Sequence, residues 1–251
     1  MLHLTRRFLQ KLRSAFALAP DKYDAEASFW RVEISRYVAW YKGEMTLYGV
    51  SPPNSDQKAT DFGQPLDAIE TWLKLHQLPK YPSNLSLRPD ALTGLRVLDI
   101  GCGPFPGLRA FSGCAMRVGV DPLLTTYAEI GFPLARWSDG YIYCQARAET
   151  LPLASDSFDA VLSCNAIDHV DDFAMVAREV RRVLRPDGKV CMEVHYHKRT
   201  IEEPCELNDE IFCEHYGWVT GLRKVKDATC TNNGGTVAGL GERYVGWTNI
   251  E

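Results

Sequence analysis

The sequence predicts an α/β protein built on one doubly wound, mostly parallel sheet. Three observations carry that expectation. From about residue 92 onward, apolar runs of strand length alternate with helix-length amphipathic segments, and strands alternating with helices assemble into parallel sheets. The run VLDIGCGPFPG, from Val97 to Gly107, ends in Asp99 and a turn carrying Gly101 and Gly103, where a missing Cβ permits unusual backbone angles and close approach of a ligand. Asp121 closes the next apolar run, MRVGV, twenty residues after Gly101, where a doubly wound sheet places the carboxylate that accepts hydrogen bonds from a ribose. A nucleoside cofactor is the natural occupant. A nicotinamide fingerprint would need a third glycine where Pro106 stands, and a proline ring without an N–H suits a phosphate-cradling helix start poorly.

The elements follow in order. Residues 1–20 carry Arg6, Arg7, Lys11 and Arg13 with no acidic residue, and Leu4, Phe8, Leu12 and Phe16 recur at helical spacing. They predict a basic amphipathic helix that packs on the domain or makes peripheral contact with an anionic membrane. Residues 24–42 read as a second amphipathic helix through Phe29, Trp30, Ile34, Val38 and Tyr41. Residues 49–64, rich in Pro, Ser, Asn and Asp, read as a loop, 65–78 as a helix and 81–89 as a linker. Residues 1–90 are thus expected to form a helical cap and 91–251 the catalytic domain. Its strands are predicted near 96–100, 116–120, 141–145, 158–163 and 188–194, with helices near 107–112, 123–130 and 172–185. In the last helix Phe173, Val176, Val180, Val183 and Leu184 form an apolar stripe, and Arg178, Arg181, Arg182 and Arg185 read as the solvated face. A helix over 208–216 and strands over 218–226 and 243–249 complete the chain, with TNNGG at Thr231 as a turn or loop.

At these residues the chain resembles class I S-adenosylmethionine-dependent methyltransferases. The first motif is Asp99-Ile100-Gly101-Cys102-Gly103-Pro104 and the second Gly119-Val120-Asp121-Pro122. The blocks from Ala148 to Leu153, Asp156 to Asp159, Asn165 to Val170 and Leu184 to Lys189 agree in order and spacing. The resemblance implies a Rossmann-like sheet of seven strands with an antiparallel last strand, an N-terminal helical cap over the acceptor pocket, and S-adenosylmethionine as cofactor. It assigns Asp99, Gly101, Cys102 and Gly103 to the methionine end of the cofactor, Asp121 and Pro122 to the ribose, and Leu123 to an apolar wall. Arg147, Ala148 and Glu149 fall at the adenine, and Cys164 and Asn165 near the methyl donor. One departure stands out: the family often has an acidic residue before the alanine at the adenine, and Arg147 cannot accept a bond from the adenine amino group. The Ala148 backbone or the Glu149 carboxylate would replace that contact.

Methyl transfer from a sulfonium is an in-line displacement, so the protein mainly aligns the acceptor and takes its proton where needed. Asp168 and His169 follow the fourth strand, and His195, Tyr196 and His197 the fifth. His195 or His169 is the candidate general base, because imidazole titrates near neutrality. His195-x-His197 with Asp168 also permits a divalent ion, but magnesium prefers oxygen ligands and the pattern is short, so no metal is predicted. Glu202, Glu203, Glu206, Asp209 and Glu210 read as a solvated acidic run. With a net charge of −4 there is no broad basic field, and nucleic acid is not an expected partner. Eight cysteines without CxxC pairs or a secretory leader read as reduced thiols, with the cytoplasm as the expected compartment. The expected function is methylation of a small-molecule acceptor, favouring oxygen on a saccharide, glycolipid precursor or secondary metabolite. The alternative is a non-catalytic protein that binds S-adenosylmethionine.

Overall fold

The computed structural model describes residues 22–229 and 241–251. The basic segment 1–20 and the TNNGG turn lie outside the described residues. Seven strands form one sheet: β1 Arg96–Ile100, β2 Met116–Asp121, β3 Ile142–Gln145, β4 Phe158–Cys164, β5 Leu184–Tyr196, β6 Arg223–Thr229 and β7 Arg243–Thr248, in the order β3-β2-β1-β4-β5-β7-β6. The first five pair in parallel, and β7 runs antiparallel between β5 and β6. The sequence-predicted seven-stranded, doubly wound sheet is therefore the one observed. The central strand RVLDI is buried at every position after the first, as expected for a strand covered on both faces. The edge strand RKVKDAT is largely exposed and lysine-bearing, a composition that discourages pairing with another chain.

The helices are α1 Lys22–Lys42, α2 Leu66–Trp72, α3 Leu78–Asn84, α4 Leu124–Ile130, α5 Leu134–Trp137, α6 Phe173–Val183 and α7 Asp209–Tyr216. Asp172 and Asn208 cap α6 and α7 by accepting from the Met175 and Ile211 N–H groups at 2.8 and 2.9 Å.

Several boundaries differ from the sequence expectation. The helix expected over 65–78 continues through a π-helical turn, Leu73–Gln77, into α3, so Tyr81 is helical and lies in no linker. Pro79 falls in the first turn of α3, directly after the π-helical turn. The helix expected over 107–112 is a single 3₁₀ turn, Gly107–Ala110, which ends where Phe111 becomes extended and its N–H closes back onto the Leu108 carbonyl. The strand expected over 218–226 begins only at Arg223, since Val219 and Leu222 N–H groups close turns onto Tyr216 and Val219 carbonyls. The helix expected over 172–185 ends at Val183, where β5 begins, and its arginines are not simply solvated: Arg182 of α6 pairs with Glu179 and donates to the Leu151 and Leu153 carbonyls, and Arg185, in β5, pairs with Asp159.

Two apolar clusters matter for the site. One lies between the sheet and α6 and α7, including Leu98, Val161, Val180, Met192, Phe212 and Trp247. The other joins Tyr37, Trp40 and Trp72 of the leading helices to Cys102 and Phe105 of the loop after β1 and to Tyr127 of α4 and Trp137 of α5. Trp72 stacks on Tyr37 with ring centroids 5.3 Å apart and meets Trp40 edge-on at 5.0 Å. The leading helices thus share a core with the loop that carries Gly101 and Gly103.

Candidate active site

The site forms where the carboxyl ends of β1, β2, β4 and β5 meet, the end of a doubly wound sheet at which ligands bind. Gly101 and Gly103 take φ of +70° and +59°. A Cβ on Gly101 would stand 2.2 Å from the Ala166 Cβ, so the turn after β1 admits only glycine against the loop after β4. The Gly103 N–H donates to Asp121 Oδ2 at 3.0 Å and the Leu123 N–H to Asp121 Oδ1 at 2.9 Å. Asp121 therefore holds the glycine turn to the end of β2. Burial pushes its carboxyl up to about 6, with those two N–H bonds opposing.

Asp99 is fully buried. Tyr81 Oη donates to Asp99 Oδ1 at 2.5 Å, whereas Oδ2 has no hydrogen-bond partner among the described residues. Burial pushes this carboxyl up to about 7, against the effect of the Tyr81 hydrogen bond. Cys102 is buried and its thiol is pushed well up by burial, which suits a small packing group and no nucleophile. Pro122 and Leu123 form the half-buried turn into α4.

Arg147 is committed elsewhere. Its guanidinium donates to Glu149 Oε1 at 3.1 Å and to Asp171. Glu149 Oε1 also accepts from the Asp171 N–H at 2.8 Å. Burial raises the Glu149 carboxyl, but Arg147 and this N–H more than offset it and hold it below the ordinary range. Ala148 is buried beside them. Cys164 faces Asn84 and Glu193. Asn165 turns the chain out of β4 at φ +51°; its N–H donates to the Glu193 carbonyl at 2.9 Å, and its Oδ1 is buried without a partner among the described residues.

Helix α1 crosses this cleft. Lys22 donates to the His169 carbonyl at 2.9 Å and pairs with Asp171, and Trp30 lies 3.8 Å from where a Gly103 Cβ would be. Trp30 also meets Phe105, Tyr127 and Phe132 edge-on. Of the aromatics in the predicted cap, Tyr37 and Trp40 are wholly buried packing residues, and Trp30 is the one over the glycine turn.

Beyond the glycine turn, the structure brings Asp168, His169, His195 and His197 together. Asp168 is fully buried. His197 Nε2 stands 3.4 Å and His169 Nε2 3.8 Å from Asp168 Oδ2. The His195 and His197 rings are 4.6 Å apart. The facing Asp168 carboxylate pushes His197 up to about 9 against the opposing effect of burial. Sequence reasoning missed two members of this site. Glu203, read as solvated, stands 3.4 Å from His195 Nδ1 and 3.7 Å from His169 Nε2. It is folded back by a turn in which its N–H donates to Thr200 Oγ1 at 2.9 Å; the Thr-x-x-Glu spacing was the available signal. Tyr81 was hidden by the supposed linker.

Residues 98–192 match the family model described as a methyltransferase domain. The chain is 36% identical over 104 residues to an uncharacterized methyltransferase, YcgJ, of Bacillus subtilis, a match covering 40% of this chain and 41% of that one. It is 37% identical over 120 residues to the ubiquinone biosynthesis O-methyltransferase of Azorhizobium caulinodans, covering 47% and 45%. To the methyltransferase GfsG of Streptomyces halstedii it is 30% identical over 130 residues, covering 50% and 47%. The chain thus spans less than half the length of these relatives. Among solved structures, a chain of the complex between the Haloferax volcanii Trm112 methyltransferase activator and a methyltransferase superposes with a TM-score of 0.50 at 17% identity, covering 72% of this chain and 97% of that one. This likeness concerns the fold.

Proposed function

We propose, from the premise that residues 98–192 belong to the class I S-adenosylmethionine-dependent methyltransferases, that this protein methylates a hydroxyl group of a small-molecule acceptor. The cofactor of the domain is S-adenosylmethionine, and the residues present fit it. The buried, unpartnered Oδ2 of Asp99 calls for a cationic or N–H donor, which the amino-acid end of the cofactor provides. Each Asp121 oxygen accepts one backbone N–H and keeps a lone pair for a ribose hydroxyl. When bound, the cofactor supplies an electrophilic methyl group on a sulfonium.

The chain's own residues do the rest. Asp99, the Gly101 to Gly103 turn and Asp121 hold and orient the cofactor, with Pro122, Leu123, Ala148 and Glu149 along its nucleoside side. Helix α1 keeps water from the cleft. His195 and His169 stand where an acceptor hydroxyl would lose its proton, oriented by Glu203 and Asp168. The convergence of these two histidines on Glu203, beside the loop that meets Gly101, is the observation that carries the reading. The net charge of −4 and the O-methyltransferase among the relatives support a neutral, hydroxylated acceptor such as a saccharide, glycolipid precursor or secondary metabolite. No helix among the described residues is long and apolar enough to cross a membrane. A cytoplasmic enzyme is the corresponding reading of its location.

Calorimetric titration with S-adenosylmethionine tests the first half. Micromolar binding is expected, weakened at least tenfold by Asp121→Ala. An acceptor screen tests the second, with His195→Ala and His169→Ala each expected to lower kcat more than cofactor affinity. One observation favours a second reading: Arg147 is locked between Glu149 and Asp171, so the adenine lacks its usual acidic partner. Cofactor binding without turnover on any acceptor would make the protein a non-catalytic binder.

A further inference from the structure

Four potential ligands converge at one point that cofactor binding does not use. Asp168, His195, His197 and Glu203 each offer an atom, and all four atoms lie within 4.8 Å of one another. Ligand atoms about 2.1 Å from a common ion stand about 3.4 Å apart at the tetrahedral angle and about 3.0 Å at a right angle. The His197 Nε2 to Asp168 Oδ2 and His195 Nδ1 to Glu203 Oε1 separations are both 3.4 Å.

A second observation is independent of this spacing. Both oxygens of Asp168 and the His197 Nε2 are buried without a hydrogen-bond partner among the described residues. The Asp168 and His197 side chains are 0% and 1% exposed. A buried carboxylate with neither oxygen satisfied is costly unless a cation completes it. The second ring nitrogen of His197 is already engaged: its Nδ1 lies 2.6 Å from the Lys198 carbonyl, which can only accept, so Nδ1 carries a proton and Nε2, turned to Asp168, is the nitrogen that would lose its proton to take a metal ion. A ring N–H donated to a backbone carbonyl is the outer-shell bond that metal-ligating histidines make.

We propose that Asp168, His195, His197 and Glu203 form a binding site for one divalent transition-metal ion. Two imidazoles with two carboxylates match Zn²⁺, Mn²⁺ or Fe²⁺ and disfavour Mg²⁺, which prefers oxygen alone. Glu203 lies on the loop after β5. Resting on the methyltransferase reading, the ion would bind the acceptor oxygen and lower its pKa. With His195 engaged by the metal, His169 is left as the group that takes the proton.

The test uses the full chain, stripped with chelator and titrated calorimetrically with Zn²⁺, Mn²⁺ and Mg²⁺, each sample being titrated with S-adenosylmethionine in parallel. One equivalent of Zn²⁺ or Mn²⁺ should bind, at least tenfold tighter than Mg²⁺, and Co²⁺ should give visible absorption bands of a nitrogen- and oxygen-ligated ion. His197→Ala and Asp168→Asn should each weaken binding at least tenfold. Glu203→Gln, on a surface loop, should do so while leaving the fold intact by circular dichroism. Absence of stoichiometric binding, or binding unchanged in His197→Ala and Glu203→Gln, would overturn the site. Loss of cofactor binding with metal binding retained would instead count against the methyltransferase reading alone.

Discussion

Asp99 sits near the carboxyl end of the central strand with one oxygen bonded to Tyr81 and the other without a partner among the described residues. Its carboxyl is pushed from 3.8 to about 7, chiefly by burial, with the neighbouring charge of Asp121 acting in the same direction. A folded-state pKa above the unfolded value means that the native protein holds a proton the unfolded chain has released. The stability associated with this group is therefore fully present below about pH 4 and is lost as pH rises through about 7. Asp99→Asn removes that dependence. In urea titrations of cofactor-free protein, wild type should lose stability relative to Asp99→Asn between pH 4 and pH 7, by an amount on the order of several kcal/mol, with little change in the difference above pH 8. A constant difference across that range would show that Asp99 titrates in the folded protein as an ordinary carboxyl. The same residue illustrates what the sequence discloses at this scale. Asp99, Gly101 and Asp121 were legible because strand ends and positive-φ turns leave a local pattern, whereas the bond that Tyr81 makes to Asp99 depends on two segments meeting in space.

At the scale of elements, α1 is a strap anchored at one end by Lys22 and pressed down in the middle by Trp30. Lys22, Asp171, Arg147 and Glu149 form a chain of ion pairs linking α1 to the loops after β3 and β4. Asp171 is half exposed, and pairs of that kind contribute about 0–1 kcal/mol. Lys22→Met should therefore loosen the strap with little effect on the fold. Stopped-flow fluorescence should show S-adenosylmethionine entering and leaving a few-fold faster, with Kd changed by less than about fivefold, consistent with 1 kcal/mol or less. Unchanged rates would mean that α1 does not limit cofactor entry. The periodicity of α1 and of α6 was readable because each has one apolar face and caps or stops at its ends. The α2 to α3 segment was not: Pro79 and Pro82 are helix breakers by local rule, yet the π-helical turn before them and the aromatic ring of Trp72 on His76, with centroids 4.2 Å apart, keep the chain helical. Glu203 was unreadable for a related reason, since an acid in a run of acids looks solvated until the loop folds it under His195.

At the scale of the molecule, the division into a cap over 1–90 and a domain over 91–251 has to be weighed against the shared core. Trp72 and Trp40 are wholly buried in a cluster that also holds Cys102 and Phe105 from the glycine turn and Tyr127 and Trp137 from the helices after β2. Side chains of the leading helices thus share one apolar cluster with the glycine turn. If the cap contributed only a cover, removing one of its buried rings would leave the sheet's stability and its cofactor affinity untouched. A shared core predicts the reverse. Trp72→Ala should lower the unfolding free energy by about 3–5 kcal/mol, the usual consequence of emptying a buried aromatic site, and should weaken S-adenosylmethionine binding because Phe105 and Cys102 lose support. Urea unfolding of wild type followed by far-ultraviolet circular dichroism and by tryptophan fluorescence should give coincident transitions, as a single cooperative unit does. Two separated transitions, with the variant affecting only the first and sparing cofactor binding, would establish that the leading helices fold as a unit of their own.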